Sequence, residues 1–101
     1  MHLLTMFDLP TKTKPERRIY RRFRKRLLEL GFTKMQFSVY LKFADGKTQC
    51  EALQRCVRKA LPKKGNIRML ILTDKQYETM LVFDNNKETK NAIPTPDFIV
   101  F

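Results

Sequence analysis

The chain has 101 residues, 43% of them hydrophobic and 11% aromatic, enough for one compact core but not two. Its 21 lysines and arginines against 10 acids give a net charge of +11, an excess that repels itself unless an anionic partner neutralises it. No run approaches the roughly 18 apolar residues of a spanning helix and the start of the chain lacks a signal-peptide pattern, so the expected partner is a polyanion in the cytosol, not a membrane.

The apolar run at 3–7 ends in Asp8, and Leu9, Pro10 and Thr11 punctuate it. This predicts a buried first strand with Asp8 at its C-terminal end, then a turn. Thr13 followed by Pro15 and Glu16 has the form of a capping box, and Gly31 supplies the matching stop. The helix expected over 15–30 would pack Ile19, Phe23, Leu27 and Leu30 on a sheet.

From 35 to 43 the odd positions are Met, Phe, Val, Leu and Phe, while the even ones are Gln36, Ser38, Tyr40 and Lys42. That alternation predicts one half-buried strand. After a turn at 44–47, Thr48 with Glu51 repeats the capping-box pattern ahead of a second amphipathic helix with stripe Cys50, Leu53, Val57 and Leu61. Pro62 and Gly65 end it. A strand at 67–72, a helical turn opened by Thr73 and Gln76, and a strand at 80–83 follow, giving the order strand, helix, strand, helix, strand, strand.

Residues 84–96 are polar, carry Pro94 and Pro96, and predict an extended connection. Phe98, Ile99, Val100 and Phe101 would make a sticky edge unless paired with a sheet. The expectation is a domain over 1–83 and an arm over 84–101 whose last strand joins a second subunit's sheet; a loose end or an edge strand within one subunit is the alternative.

Basic residues concentrate on the first helix: Arg17, Arg18, Arg21, Arg22, Arg24, Lys25 and Arg26, with Lys12 and Lys14 just before it and only Glu16 and Glu29 as nearby acids. Guanidinium forks match phosphate oxygens and grip a backbone without reading bases. Lys63, Lys64 and Arg68 flank Gly65 as a weaker second patch. Cys50 and Cys56 share one helix at a spacing that does not bridge, and are expected as reduced thiols. His2 is the sole histidine and there is no Cys-x-x-Cys, so any metal is held by oxygen. Asp8 is the candidate: it either holds Mg²⁺ with phosphate and water, needing a second Asp8 across a two-fold axis, or caps its own turn. Ser38 has no histidine to activate it and is expected to hydrogen-bond. Phe37 and Tyr40 fall on opposite faces of the expected strand with no basic signature around them, which weakens the case for an RNA-stacking sheet.

Together, Phe7-Asp8-Leu9-Pro10, the basic helix closed by Gly31-Phe32, and Gln36-Phe37-Ser38-Val39-Tyr40 resemble the small CRISPR-associated endoribonuclease family, the smaller subunit of the spacer-acquisition complex. The segment Pro62-Lys63-Lys64-Gly65-Asn66-Ile67 is similar to the branch found beside single-protein RNA-guided effectors. The resemblance implies an α+β, ferredoxin-like βαββαβ subunit, homodimeric through an extra C-terminal strand. Asp8 matches the family's metal-binding acid, Phe7 the aromatic beside it, Arg17 and Arg18 its early basic residues, and Ser38 its Ser-Val-aromatic motif. The continuous alternation over 35–43 departs from that order, which calls for a hairpin there.

The function expected is a cytoplasmic acquisition subunit that binds duplex DNA of new spacers along Lys12, Lys14, Arg17, Arg18, Arg21, Arg22 and Lys25 and bridges integrase subunits. Metal-dependent hydrolysis of RNA or DNA at Asp8, with Mg²⁺ at the dimer axis and single-stranded RNA as a further ligand, is the second activity. The competing class is a stand-alone RNA-binding module or toxin-type ribonuclease of the same shape, since fold alone does not separate them.

Overall fold

A computed structural model describes residues 1–90 of the chain. Its elements are β1 (His2–Asp8), α1 (Lys14–Glu29), β2 (Thr33–Gln36), β3 (Val39–Phe43), α2 (Lys47–Lys59), β4 (Asn66–Leu72), α3 (Asp74–Glu78), β5 (Val82–Asp84) and β6 (Lys87–Thr89). The first four strands form an antiparallel sheet in the order β2-β3-β1-β4. With α1 and α2 in the two crossovers, this is the α+β, ferredoxin-like arrangement that the resemblance implies. Phe98, Ile99, Val100 and Phe101, and most of the expected arm, lie outside the described residues.

Strand parity explains where the core sits. Leu3, Thr5 and Phe7 share one face of β1, and their ladder partners Lys42 and Tyr40 on β3 and Ile71, Met69 and Ile67 on β4 share it with them. The helices bring Phe23, Leu27, Cys50 and Val57 to that face, all buried together with Leu3, Phe7 and Tyr40. Each such side chain taken out of water contributes about 1.5–3 kcal/mol. The other face carries His2, Leu4, Met6 and Asp8 from β1 with Leu70 and Arg68 from β4. Only its His2 end is covered by α3, whose Tyr77 ring stacks on His2 at 4.5 Å.

The capping box at Thr13 forms as expected, and the helical turn expected at Thr73 and Gln76 is closed by another. Thr13 accepts from the Glu16 backbone while Glu16 accepts from the Thr13 N–H, and Thr73 with Gln76 does the same ahead of α3. The capping box at Thr48 and Glu51 does not form. Gly46, at φ 88, precedes α2 without a side-chain cap, and the Gln49 carboxamide instead accepts from the Asp45 N–H at 2.9 Å. The helix already begins at Lys47, so Thr48 lies inside its first turn and cannot serve as the N-cap.

The single strand expected over 35–43 is a hairpin. Phe37 and Ser38 make its two-residue turn, with Ser38 at φ 62, and the register shifts between Lys34 and Gln36. A bulge breaks strict alternation, and β3 is covered on both sides, so the neighbours Tyr40 and Leu41 are both 1% exposed. Phe37 is not a core residue but 75% exposed. The expected extended connection also begins differently: β5 and β6 pair over Asn85 and Asn86, both at positive φ, a conformation asparagine tolerates in tight hairpin turns. Ile19 and Leu61, expected on the buried stripes, are 43% and 42% exposed. The cysteines are free thiols, Cys50 buried with its pKa raised by that burial.

Candidate nucleic-acid interface and acidic site

α1 sorts its side chains by helical period. Phe23 and Leu27 face the sheet, and Lys14, Arg18, Arg21 and Lys25, spaced four, three and four residues apart, fall on the opposite side. All four are exposed and hold no hydrogen bond or ion pair among the described residues. At about 1.5 Å per residue this stripe runs about 16 Å. The other basic residues of the helix divide. Arg17 donates to the carbonyls of Thr11 at 3.2 Å and Lys12 at 3.0 Å, tying down the loop after β1. Arg24 donates to the Tyr40 hydroxyl at 2.9 Å, and Arg26 pairs loosely with Glu29 at 3.9 Å. Glu16, the one acid at the start of the helix, is committed to its cap, and the Thr13 N–H holds its carboxyl below the ordinary range.

The second basic patch splits in two. Lys63 and Lys64 join Arg22 around a cleft of about 670 Å³ floored by Leu9, Ile19 and Leu61, on the helix side. Arg68, two places along β4 from Asn66, belongs to the opposite face. There it donates to the Asn66 side-chain oxygen at 3.1 Å.

Asp8 ends β1 on that same face, directly across from Asn66, and its side chain is exposed. With Phe37, Ser38, Asn66 and Arg68 it lines a cavity of about 260 Å³. Ser38 is placed by its neighbours: its carbonyl accepts from the Phe7 N–H at 3.0 Å, and its hydroxyl shares a 2.9 Å hydrogen bond with the Tyr20 hydroxyl. Phe7 is the buried pivot, packed on Tyr20, Phe23 and Tyr40 at 5.0 to 5.7 Å. Gly65 holds β4 against this end of the sheet. At φ +98, a Cβ there would run into Leu9 and approach the Asp8 carbonyl to 2.9 Å.

The structure thus brings Asp8, Phe7 and Ser38 together and places the lysines and arginines of α1 elsewhere. Asn66, Arg68 and Tyr20 are site residues that the amino-acid order does not by itself connect to Asp8. Tyr20 carries a partial signal, lying three residues before Phe23 on the helix; Asn66 comes only from strand register. Apart from the Arg68 guanidinium, the polar groups of Asp8, Ser38 and Asn66 there offer oxygen donors, the chemistry of a hard cation. Among the described residues no three acidic, cysteine or histidine side chains gather to hold a metal ion, so one subunit offers a single carboxylate with neutral oxygens beside it. His2 occupies the far end of the seven-residue strand, roughly 20 Å from Asp8 at strand rise.

No helix among the described residues is long and apolar enough to cross a membrane. A family model described as CRISPR associated protein Cas2 matches residues 1–80. The chain is 37% identical over 99 residues to the CRISPR-associated endoribonuclease Cas2 of Flavobacterium psychrophilum, covering 98% of this chain and 86% of that protein. It is 42% identical over 94 residues to the protein of the same description from Ligilactobacillus salivarius, covering 91% and 93%. The counterpart in Paracidovorax avenae is 42% identical over 97 residues, covering 96% and 89%.

Proposed function

The chain belongs to the CRISPR-associated Cas2 family, and on that premise we propose that it is a homodimeric spacer-acquisition subunit that lays duplex DNA along α1 and bridges integrase subunits. The observation that carries this reading is the stripe Lys14, Arg18, Arg21 and Lys25, four cations on one rigid helix face without an acidic partner. Such a face is neutralised by strung-out phosphates and contacts no base edge. Dimerisation draws support from the second sheet face, where Leu70 is 50% exposed beside Leu4 and Met6. A two-fold partner there would remove that apolar surface from water and bring one Asp8 toward its mate.

The test is the salt dependence of duplex binding. Replacing the four stripe residues with alanine should weaken binding and lower the slope of log K against log salt by about one for each phosphate no longer neutralised. Arg17→Ala should act differently, loosening the loop it tethers. A parent protein whose duplex affinity ignores salt would overturn the reading, and co-purification with an integrase-like subunit separates it from a stand-alone RNA-binding module or toxin-type ribonuclease.

Hydrolysis is the second activity, and it follows the description of the relatives as endoribonucleases. Asp8 with its symmetry mate would hold a divalent cation such as Mg²⁺, which when bound supplies Lewis acidity toward a phosphate oxygen. Arg68 lines the same cavity as a cationic partner for the phosphate, Asn66 accepts a hydrogen bond from that arginine, and Ser38 fixes the turn closing the cavity. No imidazole reaches this end of the strand.

A further inference from the structure

Phe37 is the most exposed large apolar side chain among the described residues, at 75%, yet it is held in place. Its ring stacks on Tyr20 with centroids 5.9 Å apart and planes 19° from parallel. Tyr20 in turn is fixed at its hydroxyl by Ser38 and along its ring by the buried Phe7. The Lys34 ammonium lies 5.8 Å from the Phe37 centroid, and the ring borders the cavity that holds Asp8 and Arg68. An oriented aromatic largely in solvent, with one mobile-stemmed ammonium over its ring and a carboxylate and a guanidinium in the cavity it borders, is an arrangement that apolar packing does not call for.

We propose that Phe37 is a stacking platform for one unpaired nucleobase, with Lys34 and Arg68 taking the phosphates on either side of it. Every base offers a π face, so the site selects for single-strandedness and not for sequence. A paired base is already stacked on its neighbours within the helix, and a duplex therefore gains nothing at Phe37. The molecule then has two nucleic-acid surfaces of different kind: the α1 stripe for duplex backbone and the β2–β3 turn for an unstacked base beside Asp8. This deepens the reading above and rests on its premise that nucleic acid is the ligand; the two fail separately, because the stripe is read with duplex and the platform with single strand.

The probe is a single-stranded oligonucleotide of about 12 residues, within the usual range of single-strand sites, carrying 2-aminopurine, whose fluorescence falls when it stacks. The same sequence annealed to its complement is the control. Phe37→Ala should abolish the quenching and weaken single-strand binding roughly tenfold, as loss of one base–aromatic stack does, with duplex affinity unchanged. Phe37→Trp should retain both quenching and affinity, and Lys34→Ala should weaken binding while leaving the quenching at saturation. Unchanged single-strand binding in Phe37→Ala would overturn the proposal. So would equal loss on single strand and duplex, or a change in oligomeric mass by light scattering, since the ring would then be serving a second protein copy.

Discussion

The two ends of β1 present side chains to the same face of the sheet and meet opposite conditions. At one end His2 is fully buried, stacked on Tyr77 and edge-on to Phe43 at 5.3 Å, with Nδ1 3.2 Å from the Asp74 carboxylate. At the other, Asp8 is exposed at a small cavity that it lines with Ser38, Asn66 and Arg68 among apolar side chains. Strand parity delivers both residues; what covers the face decides what each becomes. α3 makes the first end structural, whereas at the second α1 touches only the rim, through Tyr20 on Ser38 and Phe37, and leaves Asp8 open. The sole histidine is thus a core residue, and the exposed carboxylate is the one available to a ligand.

Three changes sharpen that contrast. Asp8→Ala should have the largest effect: metal-dependent cleavage of single-stranded RNA should fall to background while duplex binding and the unfolding midpoint stay put, because exposed substitutions usually move stability by less than about 0.5 kcal/mol. Cleavage at the parent rate would remove Asp8 from the chemistry. Gly65→Ala should come next, at about 2–4 kcal/mol in denaturant unfolding, combining a left-handed backbone with a Cβ driven into Leu9 and the Asp8 carbonyl. A neutral result would mean that β4 can shift away from β1 there.

His2 gives the smallest effect and a pH signature. Burial lowers its pKa below 6.5, outweighing the Asp74 carboxylate that raises it. The unfolded chain therefore binds more protons than the folded one below the ordinary histidine range, and stability falls as pH drops beneath about 6.5. Asp74, whose pKa is lowered chiefly by the terminal ammonium 2.9 Å away, adds a second loss at more acidic pH, as it protonates. His2→Leu should erase the first decline and keep the second. A variant that retained both would assign the upper step to another group.

Local signals carry most of the fold. The capping boxes at Thr13 and Thr73 involve residues three apart, so their geometry is written in the sequence at the place where it acts. The β2–β3 turn is illegible because Phe37 and Ser38 are neither glycine, proline nor asparagine, and Ser38 takes a left-handed conformation held by a backbone bond to the distant Phe7. Without that turn, neither the exposure of Phe37 nor the position of Lys34 follows. Asp8 and Ser38 stand out as candidates from local pattern, whereas Asn66 and the separation of Arg68 from Lys63 and Lys64 depend on which strand lies beside β1 and in what register. Charge density on α1 is plain in the sequence, but not that Arg17, Arg24 and Arg26 already have partners.

β4 closes the large sheet on one side, and no other described strand pairs with its outer edge. Its seven residues carry one charged side chain, Arg68, in an otherwise apolar run after Asn66, so the rim is a template for any extended segment that arrives. The shared charge of +11 works against contact between such edges of two copies, and the repulsion reaches only about 8 Å at physiological ionic strength. Salt therefore sets the colloidal behaviour: ions that would screen these cations from any polyanion also let exposed rims meet.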